Sequence, residues 1–286
     1  MKSIFKNILV LATVLLLAAC SSGSGDEYVD RMEDEHAGDQ PVSNTEAFPQ
    51  EHPVDTMSVP YALINGEEVT GYMARPEVSR NYPQGVIVIH EWWGLNENVK
   101  MMTRRLAGQG YTALAVDLYH GKVATSPDSA GAYAREARSN ESRSIRHLEQ
   151  AYQYLTQRFD VKNVGIIGWC FGGGYSLQAS LAMPEQIDAT VIYYGSLVTD
   201  PSELETLQMP ILGIFGAEDS GIPPSEVNEF RDVLDSLGKE HSIHIYDGAG
   251  HAFANPSGTR FNEEAATDAW QKTVSFFEEH LKTGRE

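Results

Sequence analysis

The chain has 286 residues, of which 42% are hydrophobic and 21% are charged, so it can bury a substantial core and is too apolar for a disordered protein. Forty acidic residues against 21 basic ones give a formal net charge of −19. A polyanion of this size repels phosphate backbones, which argues against nucleic acid as a partner. The two cysteines, Cys20 and Cys170, are too few for a disulfide framework or for a zinc site built on paired cysteines.

The first residues follow the order of an export signal. Lys2 and Lys6 precede the short apolar run 8–19, which ends in small residues before Cys20. The run is shorter than the ~20 residues that a helix needs to cross a bilayer, which disfavours an uncleaved anchor. The tetrapeptide 17–20, Leu-Ala-Ala-Cys, resembles a bacterial lipobox. That resemblance implies a signal peptide over 1–19, acylation of Cys20 and a cell-envelope lipoprotein, on the periplasmic face of the outer membrane where the cell has two membranes.

Residues 20–53 carry little that could be buried. Nine acids between positions 26 and 51 face a single base, Arg31, and loss of residues 1–19 would bring the net charge to −21. A short stretch of serine and glycine, 21–25, precedes them. This composition predicts a lipidated, flexible, acidic tether between membrane and domain. A partner-binding segment is the alternative interpretation.

From residue 54 to residue 286 the pattern is that of one α/β domain. Asn65-Gly66 between two apolar runs predicts an opening hairpin. Further short apolar runs alternate with helical stretches, which predicts a mostly parallel eight-stranded sheet with helices on both faces. A TIM barrel is the alternative, but the hairpin favours an open sheet. The predicted strands are 59–64, 69–74, 86–89, 113–116, 164–167, 190–194, 211–215 and 242–246, and the predicted helices are 97–108, 141–158, 175–182, 225–237 and 262–282.

The segment 168–172, Gly-Trp-Cys-Phe-Gly, lies where a predicted strand ends and a helix begins. Such a turn strains the backbone of its central residue, and glycine on both sides lets helix and strand pass closely. We therefore predict that Cys170 is a nucleophile and that the Phe171 N–H stabilises an oxyanion. The alternatives are a buried structural cysteine and a phosphate-binding loop. The glycine spacing of nucleotide loops is absent, and an idle thiol in an exported protein would be open to oxidation.

An acid and a histidine follow Cys170 in the chain order of α/β-hydrolases. Asp219 comes after the predicted strand 211–215, and His251 comes after 242–246. His251 is the predicted base, and Asp219 would orient its ring, with Glu218 as the alternative acid. The other histidines form no ligand cluster in the sequence, which predicts no metal site.

Four segments resemble the dienelactone hydrolase family of α/β-hydrolases, and the likeness extends over 58–286. They are 90–95 (His-Glu-Trp-Trp-Gly-Leu), 117–119 (Asp-Leu-Tyr), 168–173 (Gly-Trp-Cys-Phe-Gly-Gly) and 250–254 (Gly-His-Ala-Phe-Ala). The resemblance implies a triad of Cys170, His251 and Asp219, a second oxyanion donor at the Trp92 N–H, and Glu91 beside the thiol. A carboxylate next to sulfur opposes the thiolate, so we expect a neutral resting thiol.

Asn255 stands where dienelactone hydrolases carry an arginine that helps to hold the substrate carboxylate. Cationic residues that could replace this arginine are Arg135, Arg138 and Arg260. The first two belong to the segment 130–140, which is expected to overhang the pocket. The candidate pocket walls are Trp93 and Phe253, although aromatic residues beside strands are as often part of the core.

The sequence thus predicts a hydrolase that cleaves a lactone or a carboxylic ester through an acyl-cysteine intermediate and needs no cofactor. Dienelactone hydrolysis is the activity that the resemblance favours. The alternatives are a general carboxylesterase or thioesterase of the same fold and a non-catalytic binding lipoprotein of the envelope. The predicted partners are a small-molecule ester or lactone and, through the lipid on Cys20, a membrane.

Overall fold

The computed structural model describes residues 24–48, 52–77 and 84–282. The predicted export signal and Cys20 lie outside the described residues. Within the described ranges, no helix combines the length and the apolar character needed to span a bilayer.

Eight strands form one sheet, in the order β1-β2-β4-β3-β5-β6-β7-β8. The strands are β1 (Val54–Ile64), β2 (Glu67–Pro76), β3 (Gln84–Ile89), β4 (Thr112–Val116), β5 (Asn163–Trp169), β6 (Ala189–Tyr193), β7 (Ile211–Gly216) and β8 (His241–Tyr246). The pairs β1–β2 and β2–β4 are antiparallel, and the other pairs are parallel. Because β1 and β8 lie at opposite edges, the sheet is open, which confirms the predicted fold class and rules out the barrel.

Eight helices occur in the described ranges. They are α1 (Ser24–Glu35), α2 (Glu97–Gly108), α3 (Pro127–Arg138), α4 (Glu141–Phe159), α5 (Phe171–Ala182), α6 (Pro201–Leu204), α7 (Pro224–Ser236) and α8 (Glu263–Lys282). All five predicted helices are present, whereas α1, α3 and α6 were not predicted as helices. For α3 the sequence does carry a start signal, since Ser126 and Ser129 form a capping box around Pro127.

Helices cover both faces of the sheet, and the strand register shows which helix lies on which face. Gly85 of β3 pairs with Val164 of β5, so the next residue, Gly165, points to the opposite face. A side chain added at Gly85 would meet Leu155 of α4, and one at Gly165 would meet Phe277 of α8. Strands β3, β4, β6 and β7 are buried along their whole length for this reason.

The parallel strands β3, β5, β7 and β8 all end at the same edge of the sheet. The residues that follow these four ends include Glu91, Cys170, Asp219 and His251. Ligand and catalytic sites of open α/β sheets lie at this carboxyl edge. The fold thus brings together side chains that are up to 160 positions apart in the chain.

Candidate active site

Cys170 occupies a strained turn between β5 and α5. Its backbone has φ 55° and ψ −117°, a conformation that residues with a side chain rarely adopt. A Cβ at Gly168 would lie 2.1 Å from the Gly172 carbonyl oxygen, and one at Gly172 would lie 2.5 Å from that of Ile89. Only glycine fits at either flank, as the sequence pattern predicts for a nucleophile turn.

His251 and Asp219 form a fully buried pair beside this turn. The His251 Nδ1 lies 2.8 Å from one Asp219 carboxylate oxygen, and the other oxygen accepts the Ile222 N–H at 2.8 Å. Glu218 is exposed, so the acid that contacts the imidazole is Asp219 and not its neighbour. With Nδ1 engaged, the second ring nitrogen is free to act on the thiol, and the two groups lie within 4.8 Å of each other.

Glu91 lies near the thiol and both histidines and is 6% exposed. One of its oxygens accepts a hydrogen bond from the Asn255 amide at 2.7 Å. Burial and the nearby Cys170 raise the pKa of Glu91 to about 7. Asn255 thus holds the carboxyl by a neutral hydrogen bond, at the position where the family resemblance led us to look for an arginine.

The thiol itself is more acidic than expected. Burial opposes its ionisation, but attraction to His251 and then to His36 lowers the pKa of Cys170 to about 5. Burial also opposes the His251 imidazolium, yet Asp219 and Cys170 raise the pKa of that ring well above its usual value. The expectation of a neutral resting thiol is therefore wrong in direction, because the attraction of two imidazoles outweighs the effect of burial.

The predicted oxyanion donors lie at two different elements. Phe171 is the first residue of α5, and the N–H groups of a helix's first turn have no intrahelical acceptor. Trp92 follows Glu91 in the loop after β3, and its indole is buried. The rings of both residues pack on histidines: Trp92 stacks on His36 at 4.4 Å between centroids, and Phe171 on His90 at 5.6 Å.

Residues 24–48, hereafter the N-terminal cover, lie on the candidate site. The expectation of a flexible tether is wrong for them, because α1 buries Tyr28 and Met32 against the domain. The Tyr28 hydroxyl lies 3.8 Å from the Cys170 Sγ, and the Met32 Sδ lies 3.9 Å from it. Cys170 is consequently only 1% exposed.

The sequence does contain a signal for α1, the spacing of its apolar residues, although the many acids of this segment suggest disorder. Tyr28, Val29, Met32 and His36 follow the i, i+1, i+4, i+8 spacing of one helical face, and all four are buried. The acids of the cover lie mainly between these positions. A count of charges therefore suggested disorder where the periodicity indicates an amphipathic helix.

The cover brings a second Asp–His pair to the thiol. His36, 2% exposed, has its Nδ1 2.8 Å from an Asp39 carboxylate oxygen, and its ring meets that of His251 edge-on at 5.4 Å. The hydrogen bond with His36, together with the charge of Arg260, lowers the pKa of Asp39 to about 2 against the effect of burial. The expectation that no further histidine joins a ligand cluster is wrong for His36, which lies with Cys170 and His251.

Arg135 and Arg138, predicted to bind substrate, contact the cover instead. Arg135 forms ion pairs of 2.7 Å with both Asp30 and Glu33 of α1. The Arg138 guanidinium lies 4.5 Å from the centre of the Tyr28 ring. Both arginines therefore hold α1 in place in this structure.

Arg260 connects the cover to the loop that carries His251. It donates hydrogen bonds to the His251 carbonyl at 2.9 Å, to the Glu35 carbonyl at 2.5 Å and to the Asp39 carboxylate at 2.9 Å. The third candidate for the substrate carboxylate is thus engaged as well. An anionic substrate would have to compete with acids of the cover for Arg135 and Arg260.

The two candidate pocket walls differ in position. Trp93 lines a cavity of ≈ 130 Å³ that it shares with His36 and Asn255. Phe253 is fully buried between Tyr194 and Tyr246, at 5.6 and 5.3 Å between ring centroids, and so belongs to the core behind His251. Tyr194, which no sequence signal identified, packs edge-on against the His251 ring at 5.2 Å.

Known proteins with similar sequences and structures agree with this architecture. The profile of the dienelactone hydrolase family matches residues 69–281. Protein usf of Aquifex pyrophilus is 34% identical over 76% of this chain and 96% of its own length. A provisionally named carboxymethylenebutenolidase of Saccharolobus solfataricus is 32% identical over 74% of this chain and 94% of its own. A provisionally named dienelactone hydrolase from Klebsiella pneumoniae, a crystal structure, superposes with a TM-score of 0.70 at 27% identity, over 79% of this chain and 99% of its own. The chain is a hydrolase with a small-molecule substrate and belongs to the dienelactone hydrolase family.

Proposed function

We propose that the protein hydrolyses a lactone or carboxylic ester through a Cys170–His251–Asp219 triad and an acyl-cysteine intermediate. The observation that carries this proposal is the buried Asp219–His251 pair, 2.8 Å apart, beside a cysteine held at φ 55° in a strand-to-helix turn. A strained nucleophile, an imidazole and an orienting carboxylate are the groups that acyl transfer requires.

The direction of the pKa shifts favours a thiolate–imidazolium pair before the reaction begins. In the proposed acylation, the Cys170 thiolate attacks the carbonyl carbon, and the backbone N–H groups of Trp92 and Phe171 stabilise the oxyanion. The tetrahedral intermediate collapses, the carbon–oxygen bond breaks, and His251 gives its proton to the departing alkoxide. In a lactone that alkoxide remains part of the acyl group, so the ring opens.

Deacylation would use the same groups in reverse. Neutral His251 takes a proton from water while the oxygen attacks the thioester carbonyl. The thiolate then leaves, the carboxylic acid is released, and the thiolate–imidazolium pair is restored. Asp219 keeps the imidazole in the required tautomer throughout.

Substrate access requires a further step in this chain. Tyr28 and Met32 lie against the Sγ atom, and Cys170 is 1% exposed. A carbonyl carbon has to approach the sulfur to about 3–3.5 Å before it can react. We therefore propose that turnover occurs from a state in which the N-terminal cover has moved away from the thiol.

Whether the site accepts an anionic substrate depends on whether its arginines are available to bind a carboxylate. Arg135, Arg138 and Arg260 all contact the cover, and Asn255 is neutral. In the closed state these three arginines are engaged, whereas the open state in which we propose that turnover occurs would release them. The open state could therefore accept anionic dienelactones as well as neutral esters and lactones, and the substrate panel below decides between them.

The test is a panel of neutral and anionic lactones, oxygen esters and thioesters, assayed with wild-type protein and Cys170→Ala. We expect turnover with the wild type only, together with a mass increase on Cys170 equal to the acyl group when the reaction is quenched early. Turnover by Cys170→Ala would refute the nucleophile. No turnover on any member of the panel would favour the non-catalytic binding lipoprotein.

We also propose that Cys20 is lipidated and anchors the protein in the cell envelope, from the lipobox-like tetrapeptide 17–20. Stable anchoring takes more than one acyl chain, which the lipoprotein pathway would supply at this residue. Cys20→Ser should leave the precursor unprocessed or release it from the membrane fraction. Mature wild-type protein that retains residues 1–19 would contradict the proposal.

A further inference from the structure

Three groups with affinity for soft and borderline metals converge where the N-terminal cover meets the sheet edge. One ring nitrogen of His36, one of His251 and the Cys170 Sγ lie within 4.8 Å of one another, and all three residues are buried. His36 comes from the cover, whereas the other two come from strand ends. The cluster therefore exists only while the cover is closed.

In each imidazole the hydrogen bond made by Nδ1 fixes the direction in which Nε2 points. The Nδ1 of His36 bonds to Asp39 and that of His251 to Asp219, each at 2.8 Å. Neither Nε2 has a partner of good hydrogen-bond geometry among the described residues, although both imidazoles are close enough to the Cys170 Sγ to stabilise its thiolate. Buried polar atoms without a partner call for an explanation. Metal-binding histidines have this arrangement, since they donate the far N–H to a carboxylate.

The three ligand groups, one sulfur and two nitrogens, indicate which cation would bind. One thiolate and two imidazoles suit Zn²⁺, whereas Mg²⁺ and Ca²⁺ prefer oxygen ligands. In a tetrahedral zinc site the ligand atoms are about 3.5 Å apart, as follows from Zn–S and Zn–N bonds of about 2.3 and 2.0 Å. The 4.8 Å limit on the present separations exceeds this value by about 1.3 Å, so metal binding requires the three ligand atoms to move closer together.

We propose that His36, Cys170 and His251 bind Zn²⁺, and that the bound cation fixes the N-terminal cover over the thiol and blocks hydrolysis. The fourth position would be taken by water or by the Met32 thioether, which lies 3.9 Å from the Cys170 Sγ. The cation would occupy the nucleophile and the base together. The binding site stands on geometry alone, while the inhibitory role rests on the proposed function.

The first test uses Co²⁺ as a spectroscopic substitute for Zn²⁺ in the chelator-treated full chain. We expect one equivalent of Co²⁺ to produce a thiolate charge-transfer band in the near ultraviolet and to be displaced by Zn²⁺. Cys170→Ser should lose the band. No band in the wild type would overturn the proposal.

The second test asks whether His36 itself contributes to Zn²⁺ affinity, or whether the loss of any histidine lowers that affinity. His36→Gln should weaken Zn²⁺ binding at least tenfold, and Asp39→Asn should weaken it about tenfold to a hundredfold, the range seen when carboxylates that orient metal-bound histidines are removed. His244→Gln, a change on β8 at a histidine that bonds to Ser242, is the matched control and should bind as the wild type does. Equal affinity in wild type, His36→Gln and Asp39→Asn would overturn the three-ligand site.

The third test addresses inhibition. Zn²⁺ should abolish hydrolysis of the best ester in the panel, a chelator should restore it, and His36→Gln should need at least tenfold more Zn²⁺. Inhibition at the same Zn²⁺ concentration in both proteins would overturn the role of the cover. Zn²⁺ binding by a protein that hydrolyses no ester would support the site and refute the proposed function, so the two failures are distinguishable.

Discussion

Two Asp–His pairs meet at Cys170, and different parts of the molecule hold them in place. Asp219 and His251 follow β7 and β8, strands that are hydrogen-bonded into the sheet. Asp39 and His36 belong to the N-terminal cover, which contacts the domain through an apolar helix face, several arginines, and hydrogen bonds such as those between Glu35 and Ser220 and between Asn44 and Ser257. The sheet-edge pair is attached to strands of the sheet, whereas the cover contributes no strand to it, so we expect the cover to be the more easily displaced of the two.

This difference teaches that proximity to the nucleophile does not by itself identify a catalytic histidine. Both rings are buried, both have a carboxylate partner at 2.8 Å, and both attract the thiolate. Only the attachment of each pair distinguishes them. A base must stay aligned through both half-reactions, which a rigid strand end provides.

Substitution of the two histidines should give the largest difference between the two pairs. His251→Ala should lower kcat by about 10³–10⁴-fold, because a triad base contributes to both proton transfers. His36→Ala should leave kcat within about tenfold, because the cover has to leave before substrate binds. Steady-state kinetics on one ester measures both. Equal losses in the two variants would make His36 part of the catalytic apparatus.

Glu91 lies near Cys170 and both histidines, and its titration tests whether the site is as closed as the structure indicates. Its folded-state pKa of about 7 is raised above the ordinary value, so the folded state holds an extra proton between about pH 4.5 and 7. The wild type should therefore lose stability as pH rises through that window, by about 3 kcal/mol from this group.

Glu91→Gln removes that titration, so its melting temperature should fall less than that of the wild type between pH 4.5 and 8, by several degrees. Thermal denaturation across this pH range, in matched buffers, gives the difference. A wild type that gains stability relative to Glu91→Gln as pH rises would show that the carboxyl is stabilised as an anion and not buried against the thiol.

Loss of the apolar contacts of the cover should accelerate reactions at the thiol. Burial of a side chain of this size contributes about 1.5–3 kcal/mol, so Tyr28→Ala combined with Met32→Ala should raise the rate of iodoacetamide alkylation of Cys170 at least tenfold. Met57→Ala, at an exposed methionine of β1, is the matched control. Unchanged alkylation in the double variant would mean that α1 does not limit access.

The ion pairs of the cover should matter least. Arg135 and its two acidic partners are partly exposed, and such pairs contribute about 0.2–1 kcal/mol each, so Arg135→Ala should raise the alkylation rate about two- to fivefold. Added salt should raise the wild-type rate in the same direction and the variant rate less. Lys122→Ala removes an ion pair with Glu136 that does not involve the cover and should have no effect. A rate in Arg135→Ala below that of the wild type would contradict this role of the ion pairs.

Much of this protein was determined by its sequence alone. Asn65-Gly66, the short apolar runs and the helical stretches specified an open, mostly parallel eight-stranded sheet, because local periodicity reports directly which faces are buried. The glycines around Cys170 and the chain order of Asp219 and His251 specified the candidate site for a related reason. Each motif is tied to a strand end, and parallel strand ends share one edge.

Only the tertiary structure decided what lies above that edge. The number of acids in 24–48 suggested a tether, whereas the face formed by Tyr28, Met32 and His36 is stabilised by a surface that exists only once the domain has folded. The acidity of Cys170 and the contacts of Arg135, Arg138 and Arg260 differ from the expectation for the same reason. Charges and contacts between residues more than a hundred positions apart depend on distances that no local pattern encodes.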